Sequence, residues 1–110
     1  MTQLREERLA RNEAVHRVFN ESLEAFQTKL AGTQILAGFV CECGDPDCVD
    51  IVKMGIGRYE KIRHNPRLFL VRPGHEIPDI EDIVNREDGF LVVRKHDNLA
   101  DIARETDPRR

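Results

Sequence analysis

Three cysteines stand within the eight residues CECGDPDC, positions 41–48, and the chain has no others. Cys41 and Cys43 lie two apart, so on an extended segment both side chains leave the same face. Gly44 lets the backbone turn so that amide N–H groups can point at sulfur. Asp45-Pro46-Asp47 has the composition of a reversing turn, which would carry Cys48 back over the first two. Zinc takes four ligands in a tetrahedron, and thiolate sulfur is its commonest structural donor at about 2.3 Å. Three soft donors from one short loop therefore predict a structural zinc site that lacks one ligand.

The chain has four histidines to supply it. His75 is the best placed, because Pro73-Gly74-His75-Glu76 follows a predicted strand and a tight turn there can present a ring to a neighbouring loop. Glu76 or a carbonyl could orient the second ring nitrogen, as metal-bound histidines require. His96 follows another strand and is the runner-up. His64 falls on a short helix and suits a surface role, and His16 sits next to the apolar stripe of the long N-terminal helix, at its edge. An aspartate of the loop or a water are further candidates for the fourth position. The expected ligand set is Cys41, Cys43, Cys48 and His75.

Other uses of the thiols fit the pattern less well. Small buried hydrophobes are one option, but Glu42, Asp45, Asp47 and Asp50 surround the cysteines, which argues against a greasy core segment. A disulfide across one intervening residue is strained, and an iron–sulfur cluster would want a fourth cysteine. Catalytic zinc signatures are missing: there is no H-E-x-x-H, and His75-Glu76 are adjacent and not in an H-x-E arrangement. Three thiolates also weaken zinc as a Lewis acid. A small zinc or thiol enzyme, with a three-cysteine site and an open coordination position, stands as the alternative. No glycine-rich phosphate loop or serine-nucleophile motif occurs, and Ser22 is the one serine.

The elements that must position these residues are legible from periodicity. Val15, Phe19, Leu23, Phe26 and Leu30 form one stripe at helical spacing, widened by Leu4, Leu9 and Val18, and predict a helix from residue 3 to about 30. Gly32 stands where a C-terminal cap would be. That stripe reads as a core face or as the seam of a homodimer. Residues 34–43 read as a strand entering the cysteine turn, and 49–54 as a strand leaving it. A helix over 58–65 is ended by Pro66, and RLFLVR (67–72) is a strand. IEDIVNREDGFLVVRKH reads as a hairpin turning at Asp88-Gly89, and residues 97–106 as a short helix. The expected architecture is α+β. A long N-terminal helix packs on a small, mostly antiparallel sheet with a zinc-binding loop. It forms one domain over 1–110, divided into the long helix (1–32), the zinc-stabilised core (33–96), and a short helix and tail (97–110).

Composition fits a soluble domain with a modest core. Hydrophobic residues make up 40% and charged residues 34%, with no tryptophan, so a metal cross-link would help so small a core. MTQLREERLARNE lacks the apolar stretch of a signal peptide, and no apolar run reaches the ~18–20 residues of a membrane span. The expectation is a cytoplasmic protein with no membrane association, where structural disulfides are rare. The net charge of −3 is segregated: residues 53–72 carry six cations and one anion, and residues 76–88 six anions and one cation. Arg58, Lys61, Arg63, Arg67 and Arg72 of the first block could form a recognition surface for phosphate or an acidic partner. The alternative is two solvated faces that partly neutralise each other. Tyr59 and Arg63, four apart, suit a structural clamp. A lone aromatic beside the basic block gives no stacking platform for single-stranded nucleic acid.

The run FVCECGDPDC, then RYEKIR, RLFLVRPGHE and GFLVVRK, resembles a group of short uncharacterised bacterial proteins that share a CxCG…C turn, a YE-x-x-R helix and a PGHE segment. The likeness spans most of residues 10–96. It implies that Cys41, Cys43, Cys48 and His75 act as one unit, and it implies no activity. The functional expectation is a small, non-enzymatic zinc-binding module, with a binding or regulatory role exerted through a protein partner. Nucleic acid is a further candidate partner, and the long helix is a candidate homodimer seam.

Overall fold

The computed structural model describes residues 2–31 and 36–109, with side chains over 4–29 and 36–109. Helix α1 spans Thr2–Ala31, a stretch free of proline and glycine. Strands β1 (Leu36–Val40) and β2 (Ile51–Gly55) flank the cysteine loop, and α2 (Ile56–Arg63) follows directly. Lys61 and Arg63 occupy the last turn of α2, where cations suit the helix dipole. Strands β3 (Leu68–Val71), β4 (Glu81–Glu87) and β5 (Phe90–Lys95) come next, then a 3-10 turn (Asp97–Leu99) and α3 (Ala100–Glu105). Gly32, expected as a cap, and the side chain of Leu30 fall outside the described residues.

The architecture is the expected α+β, with the strands divided between two sheets. β1 and β2 pair antiparallel, and β3, β5 and β4 form an antiparallel sheet in that order. The β4–β5 hairpin turns at Asp88-Gly89, with a register shift between Ile83 and Asn85. The main core gathers both sheets and α2 around Phe39, Tyr59, Phe69, Leu70, Val92 and Val93. Phe39 and Tyr59 stack with centroids 4.3 Å apart. A smaller cluster of Ala10, Ile80, Leu99 and Ile102 fixes the first half of α1.

Most of the stripe that periodicity assigned to the core or a seam is exposed in the single chain, while Leu9 packs on the smaller core cluster. Val15 is 68% exposed, Phe26 61% and Phe19 53%. The face turned inward carries Glu13, Arg17 and Asn20, each fully buried. The reason lies in the outer edge of β1, which no strand covers. Asn20 donates its amide N–H to Val40 O at 2.8 Å and accepts Val40 N–H at 2.7 Å. Two turns along, Gln27 does the same for Gly38, at 3.0 Å in each direction. Two carboxamides thus stand in for a neighbouring strand and close an edge that would otherwise invite pairing. A helical face of alanine or leucine could not do this, and unpaired buried backbone groups cost about 1–3 kcal/mol each.

Charges buried against this face are paired with one another. Lys95 Nζ contacts both Glu13 and Glu81 and lies 4.4 Å from the Phe69 ring centroid. Burial pushes the ammonium down to about 7 and the Glu81 carboxyl up to about 8. Both shifts move this crowded trio toward fewer net charges. Arg17 donates to Pro66 O at 2.5 Å and Ala103 O at 2.7 Å, tying α1 to α3 and to the loop before β3.

The inverted face makes an opposed pair of stability predictions. Asn20→Ala leaves both backbone groups of Val40 and one Glu42 oxygen without partners, and should cost about 2–4 kcal/mol. Phe26→Ser, on the face that periodicity favoured, should change stability by less than ~0.5 kcal/mol. Urea unfolding of the two variants checks this; the reverse ranking would mean that the apolar face is the buried one.

Candidate metal centre

The cysteine loop leaves β1 with its backbone already committed. Cys41 N–H donates to Asp50 O at 2.8 Å, extending the β1–β2 ladder, and Glu42 N–H donates to Leu70 O of β3 at 2.8 Å. Cys48 N–H donates to Asp45 O at 3.1 Å and closes the Asp-Pro-Asp turn. Helix α1 holds the loop from outside, through Asn12 to Gly44 O at 2.9 Å and His16 Nδ1 to Cys43 O at 3.0 Å. His16 is therefore buried and structural, beside Cys43 and outside the ligand cluster. Gly44 sits where a side chain has no room: a Cβ there would lie 2.9 Å from both Ile77 Cδ1 and Leu9 Cδ2.

His75 is carried on the opposite wall. Gly74 takes φ +92°, a conformation that favours glycine, and its N–H donates to Glu76 at 2.7 Å. His75 N–H donates back to Arg72 O at 2.9 Å. This compact turn brings the ring over the cysteines, with Nδ1 3.4 Å from Cys41 Sγ and 3.7 Å from Cys48 Sγ. The donor atoms of Cys41, Cys43, Cys48 and His75 all lie within 4.8 Å of one another. Tetrahedral zinc with ~2.3 Å Zn–S and ~2.0 Å Zn–N bonds needs S···S near ~3.8 Å and S···N near ~3.6 Å. The cluster has the dimensions of such a site.

The surroundings suit thiolates. Cys41 Sγ accepts the Arg72 N–H at 3.2 Å, and the backbone N–H groups of Asp45 and Asp50 favour the thiolate forms of Cys43 and Cys48. The amides of Asp45 and Asp50 lie two residues beyond the cysteines they serve, the local geometry that Gly44 and the Asp-Pro-Asp turn permit. Cys43 is lowered to about 5, first by the hydrogen bond from the Cys41 thiol and then by the Asp45 N–H and His75. Cys41 is pushed well up, chiefly because its thiol donates to Cys43 and then by burial. Cys48 is raised, mainly by burial. These shifts favour a thiolate at Cys43 over thiolates at Cys41 and Cys48.

The histidine's outer partner is Asp50, whose Oδ2 lies 3.4 Å from Nε2; Glu76, the expected orienter, is engaged with Gly74. Nδ1 is turned to the sulfurs, and Asp50 stands beside the outer ring nitrogen, where metal-bound histidines keep an orienting partner. Sequence reasoning missed Asp50 in that role, although its position two residues after Cys48 was visible. His96 pairs with Asp82 at 3.2 Å, and His64 donates to its own helix at Glu60 O; neither belongs to the cluster. Glu42 also departs from expectation. It is fully buried, accepting from Asn20 at 2.8 Å and from Leu70 N–H at 3.1 Å, so it is not part of an acidic rim. Burial raises it to about 7.

Four of the five basic residues read as a recognition surface are engaged by partners within the fold. Arg63 is a correction: its side chain is buried, donating to Asp107 at 2.5 Å and Glu21 at 3.3 Å, because α2 turns this face toward α1 and the C-terminal segment. Tyr59 donates to the same Glu21 at 3.0 Å, so the two residues meet through a shared carboxylate and not by stacking on each other. Arg58 grips both oxygens of Glu87 at 3.0 and 2.8 Å, so the basic and acidic blocks partly neutralise each other. Arg67 donates to Lys95 O and to Asp97. Arg72 donates to Ile51 O at 3.3 Å, and Lys61 is exposed.

Two measurements test this geometry. Metal must displace protons held by Cys41 and Cys48, so affinity should rise about 100-fold per pH unit between pH 7 and 8. Chelator competition at the two pH values reads this, and a slope of about tenfold or less would mean that at least one of the two thiols was already ionised. Asp50→Ala leaves its backbone contacts in place and should weaken metal binding about 10–100-fold with the fold intact. No protein-family model, curated protein or solved structure matches the chain.

Proposed function

We propose that this chain is a non-enzymatic binding module whose fold is closed by one structural zinc ion. The observation that carries the reading is the convergence of three sulfurs and one imidazole nitrogen within 4.8 Å, with a backbone N–H on Cys41 and the Asp50 carboxylate 3.4 Å from the outer ring nitrogen. A three-sulfur, one-nitrogen tetrahedron favours zinc over the harder divalent ions. Cys41 and Cys43 are almost wholly buried, and His75 stands where an open-site enzyme would keep water. Three thiolates also leave little Lewis acidity for polarising a substrate. The ion would tie the end of β1 and the turn before β2 to the segment after β3. Through the loop's contacts with Asn12 and His16, it would also hold α1 in register.

Support for binding as the outcome comes from α1, which spends its polar side chains on the interior and turns Val15, Val18, Phe19 and Phe26 outward. Apolar groups clustered on one exposed face mark interaction surfaces. The small zinc or thiol enzyme is the reading to be separated from this one. Elemental analysis of protein purified from zinc-containing medium should give close to one zinc per chain. Cys48→Ser should lose both the metal and the cooperative unfolding transition. A metal content near zero, or a Cys48→Ser chain that stays folded and loses a hydrolytic activity, would reject the structural-zinc module.

A further inference from the structure

We propose that the outer face of α1, with the groove it forms against α3, docks an amphipathic, acidic segment of a partner protein. The proposal rests on the binding-module reading and names its surface and the chemistry of the partner.

Three observations converge on that face. Leu4, Val15, Val18, Phe19 and Phe26 are between 48% and 68% exposed, more apolar surface than scattered single residues would leave on one helix. Positions 8, 11, 15, 18, 19, 22, 26 and 29 share this side at helical period, and they read Arg, Arg, Val, Val, Phe, Ser, Phe, Lys. The sector carries three cations, with one carboxylate, Glu7, on the groove side between Ala14 and Val18, in a chain whose net charge is −3. Beside it lies a largely apolar groove of about 280 Å³ lined by Arg11, Ala14, Val15, Val18 and Thr106. A bulky apolar side chain could enter this groove with Arg11 beside it to meet a carboxylate. Helix-in-groove recognition uses that combination of apolar anchors and flanking opposite charge.

The same observations weigh against the other occupants. An antiparallel pairing of two α1 helices that aligns Val18 with Phe19 also sets Arg8 against Lys29 of the second copy, and like charges so placed repel. A lipid surface would favour the cations and the apolar side chains, but a flat bilayer face does not fill a groove between two helices.

A random 16-residue peptide library displayed on phage, selected against the metal-loaded full chain, tests the proposal. Selected peptides should combine apolar residues at helical spacing with at least one Asp or Glu. Measured by fluorescence anisotropy, their affinity should fall at least about tenfold with Val15→Glu, and about as much with Arg11→Glu. A peptide whose carboxylate is replaced by lysine should recover binding to Arg11→Glu. Both variants are exposed and should keep metal content and unfolding midpoint, so their loss of binding reports the surface alone. Failure to select peptides overturns the proposal, as do peptides indifferent to both variants. Concentration-dependent dimers in sedimentation, abolished by Val15→Glu, would assign the face to a second copy. Co-pelleting with phosphatidylserine vesicles, abolished by the same change, would assign it to a membrane. Loss of metal or fold in the unmodified chain would instead strike at the zinc-module reading.

Discussion

The outer edge of the chain from residue 38 to 44 is satisfied by side chains of a helix, and most of the structure follows from that arrangement. Gln27 serves Gly38 and Asn20 serves Val40. At Glu42 strand β3 takes over, and His16 and Asn12 then receive the carbonyls of Cys43 and Gly44. Buried N–H and C=O groups must find partners, and here they impose polarity on the helix that covers them. The helix must then place its apolar residues elsewhere, and the remaining direction is solvent. An inverted amphipathic helix is thus the consequence of using α1 in place of a strand.

This explains what was legible in the sequence and what was not. The helix was legible from the spacing of Val15, Phe19, Leu23 and Phe26, and the hairpin from Asp88-Gly89, because both signals are local. The direction of burial was not, since Asn20 and Gln27 share a helical face as regular as the apolar one, and period alone does not say which face meets β1. The cluster of three cysteines and His75 was legible because sulfur and imidazole have few other uses at such spacing. Gly74 marked the turn that presents His75, and its positive φ is the physical content of that mark. Arg63 could not be placed from sequence. Its partners Glu21 and Asp107 lie 42 and 44 residues away, and a basic run looks the same whether it is solvated or folded inward.

Ionic groups in the interior follow the same logic as the carboxamides. Lys95 and Glu81 face each other across β5 and β4, and Glu13 reaches them from α1. Arg17 and Lys95 both approach the ring of Phe69, so that single aromatic supports two buried cations from α1 and the sheet. Such interactions specify an arrangement more than they stabilise it, because desolvation offsets most of the attraction. α1 therefore has one acceptable register on the body, fixed by polar partners at Asn12, Glu13, His16, Arg17, Asn20 and Gln27. A helix held by apolar contacts alone could slide or rotate at lower cost.

The three residues from Cys41 to Cys43 show how closely the metal centre and the helix are joined. Successive side chains on an extended segment alternate in direction. Cys41 and Cys43 turn to the metal cluster, and Glu42 between them turns inward to Asn20 and the Leu70 N–H. The backbone of the same residues bonds β2, β3 and α1 in succession. No part of this stretch can shift without disturbing the sulfur positions and the seat of α1 together. A metal ion there would act on the placement of the outward face of α1 through hydrogen bonds one residue long, with no separate transmitting element between them.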